Sequence, residues 1–148
     1  MSQATTADIV LVEDDPGHAL LIEKNLRRAG LENKIICLRD GREAIDFLFP
    51  TAFAADASPV LVLLDLNLPI LDGYEVLKRL KHDTRTSRIP VVVLTTTDNP
   101  QEVVRCYDLG CNVYVTKPVD YGQFSETIKT LGMFLSIFRV PECGGPHG

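Results

Sequence analysis

Four groups of residues have the types that phosphate and metal chemistry needs: Glu13-Asp14, Asp65 with Asn67, Thr95, and Lys117-Pro118. Asp65 ends the run Pro59-Val-Leu-Val-Leu-Leu-Asp65-Leu-Asn67-Leu-Pro69. Within it, Val60 to Leu64 are consecutive, aliphatic and partly β-branched, the pattern of a fully buried strand. Three acids held together repel one another unless a cation joins them. Hard oxygen ligands favour Mg²⁺, which keeps several waters and accepts a phosphoryl oxygen. A lysine and a threonine hydroxyl nearby add positive charge and a hydrogen-bond donor for a phosphate. Such a set supports in-line attack on a phosphoryl group, with Asp65 as nucleophile and the metal neutralising its charge and the phosphate's.

Each residue alone has a plainer explanation. A single Asp at a strand end is commonly a turn or cap residue, and Glu13-Asp14-Asp15 also suits a helix start. Thr95 could finish a β-rich strand, and Lys117 could be a solvated loop residue. Chance becomes a poor explanation once the elements are placed, because all four groups then fall at equivalent strand ends.

Strand and helix alternate five times. Ile9 to Val12 reads as a short strand, followed by a helix with Asp15 as N-cap and Pro16 at its first position. Ala19, Ile22, Leu26 and Ala29 line one face of that helix, and Gly30 closes it. Lys34 to Leu38 is the second strand, and Asp40-Gly-Arg-Glu43 the capping box of a helix through Phe49. Pro50 to Ser58 reads as a surface loop. Gly73 to Lys81 is the third helix and Ile89 to Leu94 the fourth strand. Asn99-Pro100-Gln-Glu102 opens, as a second capping box, a helix ending at Gly110; Val113 to Val115 is the fifth strand, and Asp120 caps the last helix. This order predicts an α/β, doubly wound (βα)5 domain with right-handed crossovers and a parallel sheet covered on both faces. The C-terminal ends of strands one, three, four and five then share one edge, the edge where such sheets bind ligands.

The 148 residues suit one domain with a proper core. A hydrophobic content of 45%, a charged content of 24% and a net charge of −5 describe a soluble domain and argue against non-specific nucleic-acid binding. No apolar stretch reaches the roughly 18 to 20 residues of a membrane span, and Met1 to Ala7 lacks signal-peptide character. Cys37, Cys106, Cys111 and Cys143 form no CxxC pair and have no nearby His at ligand spacing. Cys37 reads as a buried structural thiol, and a cytoplasmic protein is expected.

Val12-Glu13-Asp14, Asp65-Leu-Asn67-Leu-Pro69-x-x-Asp72-Gly73, Thr95 and Lys117-Pro118 resemble the receiver domain of two-component response regulators over about residues 7 to 138. The resemblance implies a flavodoxin-like fold with strand order 2-1-3-4-5. It implies phosphorylation of Asp65 by a histidine kinase, and Mg²⁺ or Mn²⁺ held by Glu13, Asp14, Asp65 and the Asn67 carbonyl. By the same likeness Thr95 is the switch hydroxyl, Tyr114 the switch aromatic and Lys117 the phosphate contact, with a cis peptide before Pro118. Glu13 stands where the family commonly has Asp, which lengthens one acidic arm. The long loop before strand three, the Pro90-Val-Val-Val-Leu-Thr-Thr run and the hydrophobic last helix are similar to the small regulators paired with cyanobacterial phytochromes.

Phe124, Ile128, Leu131, Leu135 and Phe138 suffice to cover the sheet, so Met133, Phe134 and Ile137 are surplus apolar residues. A homodimer through the fourth helix, fifth strand and fifth helix is expected from them. Gly132 marks a bend or an early helix end. Residues 139–148 read as a flexible tail that leaves no output domain, so the expected output is protein contact. Two alternatives compete: a phosphatase of the haloacid dehalogenase type, which Asn67 two positions beyond Asp65 argues against, and a phosphate-independent pseudo-receiver.

Overall fold

A computed structural model describes residues 7–53 and 59–136. Its elements run β1 (Asp8–Val12), α1 (Pro16–Arg28), β2 (Ile35–Leu38), α2 (Gly41–Phe53), β3 (Val60–Leu64), α3 (Gly73–His82), β4 (Val91–Thr95), α4 (Pro100–Leu109), β5 (Val113–Thr116) and α5 (Tyr121–Leu135). The strands form one sheet in the order β2-β1-β3-β4-β5, and every pairing is parallel. This is the doubly wound (βα)5 architecture, with the 2-1-3-4-5 order that the resemblance implies.

Side chains alternate across a strand, so each buried strand feeds two cores. Val10, Val12, Val62, Leu64, Val91 and Val93 pack with Ala44, Leu48, Val76, Leu77 and Leu80 under α2 and α3. Ile9, Leu11, Leu61 and Leu63 pack with Ile22 and Leu26 of α1 and with Phe124, Ile128, Leu131 and Leu135 of α5. Both faces are closed, and all five positions of β3 and of β4 are buried.

Helix starts follow local chemistry. The Asp15 carboxylate accepts from the Gly17 and His18 N–H groups, Asp72 from Glu75, Asn99 from Gln101 and Asp120 from Gln123. These acceptors satisfy orphan donors of each first turn and fix where the helix leaves the sheet edge. Glu43 N–H donates to Asp40 at 2.8 Å, while the Glu43 carboxylate reaches back to the Arg39 N–H at 2.9 Å. The second capping box does not form: the Glu102 carboxylate accepts the Tyr74 hydroxyl of α3 instead.

Three other expectations are corrected. α2 continues past Phe49 to Phe53 with Pro50 inside it; the proline lacks an N–H and crowds the carbonyl four residues before it, both upstream effects, so one turn can follow it. Cys37 is exposed, because β2 is an edge strand whose side chains are only partly covered. No described peptide bond is cis, so Lys117–Pro118 is trans, the form an X-Pro bond favours by about 0.5–1 kcal/mol.

Gly132 is a packing residue and neither a bend nor a stop. A Cβ there would lie 2.7 Å from the Ala29 Cβ, so the glycine lets α5 approach the end of α1. Met133 and Phe134 are exposed, at 57% and 44%. Ile137, Phe138 and the tail 139–148 lie outside the described residues.

Candidate functional site: an acidic cluster at the sheet edge

Register brings the strand ends together. Val12 pairs with Leu64, Leu64 with Val93, and Thr95 with Thr116, so the residues that follow emerge side by side. Three backbone bonds carry the alignment one residue further: Glu13 N–H to Leu38 O at 2.9 Å, Asp65 N–H to Val12 O at 3.1 Å and Lys117 N–H to Thr95 O at 2.6 Å. Gly73 lets α3 start directly on the loop behind Asp65, since a Cβ there would lie 2.4 Å from the Asp65 carbonyl oxygen.

Asp65, Glu13 and Lys117 are buried, at 7%, 4% and 3% exposure, whereas Asp14 and Asn67 are exposed. Lys117 Nζ donates to Glu13 Oε1 at 2.6 Å and to Asp65 Oδ2 at 3.3 Å. Asp65 Oδ1 accepts the Asn67 N–H at 3.3 Å, and Glu13 Oε2 accepts the Asp15 N–H at 3.2 Å. Burial pushes the Glu13 carboxyl up to about 7, and the Asp65 charge adds to the rise, while the Lys117 hydrogen bond opposes it. Two buried acids facing one buried ammonium leave the site short of positive charge.

Glu13, Asp14 and Asp65 each offer a carboxylate oxygen, and these oxygens lie within 4.8 Å of one another. Three hard, convergent oxygen donors beside a cavity fit a divalent cation such as Mg²⁺ or Mn²⁺. That cavity has a volume of about 260 Å³ and is lined by Glu13, Asp14, Asp15, His18, Asp65, Asn67, Thr96 and Lys117. Asp65, the two other acids and Lys117 thus converge as the strand ends predict.

Thr95 and Tyr114, the switch pair implied by the resemblance, are placed differently. Thr95 is fully buried, its Oγ1 has no hydrogen-bond partner among the described residues, and Thr96 lines the cavity in its stead. Tyr114 is half-buried, and its hydroxyl donates to the Thr97 carbonyl at 2.7 Å, tying β5 to the loop before α4. Burial raises the Tyr114 phenol to about 12, so it stays a donor.

Sequence reasoning missed His18. It follows the Asp15 cap by three residues, on the first turn of α1, which brings it back over the β1 end. Its Nδ1 lies 3.9 Å from Glu13 Oε2 and 3.9 Å from Asp15 Oδ2. The available signal was that spacing, which a search for metal-ligand histidine pairs does not weigh.

Residues 9–129 match the response regulator receiver domain. The chain belongs to that family. This receiver domain is 51% identical to a response regulator receiver domain from Rhodospirillum rubrum, with a TM-score of 0.87 over 94% of this chain and all of the other. It is 40% identical to the phosphorylated cyanobacterial phytochrome response regulator RcpA, with a TM-score of 0.81 over 91% and 98% of the two chains. Response regulator Rcp1 of Synechocystis is 43% identical over 110 residues, 74% of this chain and 75% of Rcp1. The Mn²⁺-bound form of Rcp1 superposes with a TM-score of 0.81 at 36% identity, over 91% and 99% of the chains. A receiver domain is a signalling switch of two-component phosphorelays. No helix among the described residues is long and apolar enough to cross a membrane.

Proposed function

We propose that Asp65 accepts a phosphoryl group from the phosphohistidine of a histidine kinase, and that the modified receiver, taken as residues 7–138, signals through protein contacts. One observation carries this reading: a buried carboxylate at the sheet edge, 3.3 Å from a buried lysine and clustered with two further acids. A divalent cation, Mg²⁺ or Mn²⁺, would be held by Glu13, Asp14, Asp65 and the Asn67 carbonyl; when bound it neutralises the carboxylates and the phosphoryl oxygens.

The chain's own residues do the rest. One Asp65 carboxylate oxygen attacks phosphorus, the new O–P bond forms as the donor's N–P bond breaks, and the imidazole leaves with the electron pair. Lys117 is held by Glu13 and can follow the negative charge from Asp65 to the phosphoryl group. Thr95, whose hydroxyl is buried without a partner among the described residues, is the switch donor that turns toward the new oxygens. Tyr114 reports that movement through its bond to Thr97. The change occurs once per signal, with no turnover of a separate substrate.

The likeness to RcpA and Rcp1 supports a phytochrome-type kinase as partner and action in the cytoplasm, where no nucleic acid or membrane is engaged. Exposed Val104, Tyr107, Met133 and Phe134 on α4 and α5 support a homodimer through α4, β5 and α5, to which Ile137 would add. The test is incubation with a small phosphodonor and Mg²⁺, followed by intact-protein mass spectrometry. Wild type should gain one phosphoryl group, and Asp65→Asn or metal-chelated protein none; equal labelling of Asp65→Asn would refute the proposal.

A further inference from the structure

His18 is the one aromatic ring that lines the phosphoryl cavity among the described residues. Its side chain is 27% exposed, and two α5 rings hold it edge-on: Phe124 at 5.4 Å and 87°, and Tyr121 at 6.4 Å and 75°. Phe124 is buried, so the imidazole is braced from behind. On its other side stand the Glu13 and Asp15 carboxylates, each 3.9 Å from Nδ1. Lys117 takes Oε1 of Glu13 at 2.6 Å while His18 faces Oε2, and both line the cavity together with Asp65. A braced planar ring at the mouth of such a cavity can bind a second planar ring. Aromatic pairs prefer offset or edge-to-face contact, and a preset ring loses little freedom on binding.

We propose that His18 positions the phosphodonor, packing against the planar imidazole that carries the phosphoryl group toward Asp65. The idea rests on the reading of Asp65 as acceptor. It makes the receiver selective for ring-bearing donors over acyl phosphates, which deliver the same group without a ring. Asp14, exposed beside the cavity, and the chain's Lys117 serve both donor classes alike.

The test compares monophosphoimidazole with acetyl phosphate, each with Mg²⁺, on wild type, His18→Ala, His18→Phe and Asp65→Asn. With monophosphoimidazole, His18→Ala should lose roughly fivefold in the second-order rate constant of phosphorylation, the size of one aromatic pair. The preference for monophosphoimidazole over acetyl phosphate should fall by the same factor, and His18→Phe should restore it. An equal change with both donors, or none with either, overturns the inference while leaving Asp65 as acceptor. A monophosphoimidazole-specific loss that Phe fails to restore overturns it as well. Failure of wild type to label, or labelling of Asp65→Asn, overturns the underlying reading instead.

Discussion

Thr95 carries a hydroxyl into the core with no partner among the described residues, and a buried donor left unmade costs roughly 1–3 kcal/mol. Thr95→Val keeps the shape and removes the orphan, so the unphosphorylated protein should gain about 1 kcal/mol in chemical denaturation. The same variant should lose any phosphorylation-dependent change in assembly. A destabilised Thr95→Val would mean the hydroxyl is bonded in the resting state. Glu13 sets a pH dependence. Its carboxyl is raised from 4.5 to about 7 by burial, so the stability tied to its protonated form is complete below pH 4.5 and lost as pH rises through 7. Metal-free wild type should therefore lose thermal stability across that window relative to Glu13→Gln, whose amide does not titrate. Mg²⁺ affinity should rise over the same window, because the cation must displace the proton. Parallel melting curves would contradict this account of Glu13.

Among the elements, α1 and α5 meet through a contact that only glycine permits. Gly132→Ala gains helix propensity worth about 1 kcal/mol yet places a methyl 2.7 Å from that of Ala29. Overpacking of this kind costs about 1–3 kcal/mol, so a net loss is expected. Ala29→Gly in the same chain should relieve it, and a double-mutant cycle would read the coupling. Additive effects would remove the contact as the explanation. Much of the element order was legible because its signals are local: caps such as Asp15, Asp40 and Asp120, and unbroken aliphatic runs such as Val60 to Leu64. Long-range competition hid the rest. Glu102 follows a capping-box spacing, yet Tyr74 from α3 takes its carboxylate. Cys37 looks like a core residue until β2 proves to be the sheet's edge. Pro50 reads as a stop only when the helix before it is taken to end there. The acidic cluster and Lys117 were readable from three strand ends, those of β1, β3 and β5. His18 was not, because its one local signal, three residues beyond the Asp15 cap, is no ligand spacing, and the α5 rings that brace it lie more than a hundred residues away.

At the scale of the molecule, one edge of the sheet gathers the charged chemistry while α4 and α5 present apolar surface elsewhere. Val104 and Tyr107 of α4 and Met133 and Phe134 of α5 are large exposed hydrophobics, and Tyr107 also accepts the β5 N–H of Tyr114 at 3.2 Å. Sedimentation over a range of concentrations should show self-association that strengthens with phosphodonor and Mg²⁺ and weakens in Met133→Glu. A protein that stays monomeric under both conditions would remove the dimer from the account. The central claim is narrower and concerns one carboxylate. Reductive trapping of the acyl phosphate with borohydride, followed by peptide mapping, tests it most directly. The modified residue should be Asp65, only after treatment with phosphodonor and Mg²⁺; modification at Asp14 or elsewhere, with Asp65 untouched, would contradict it.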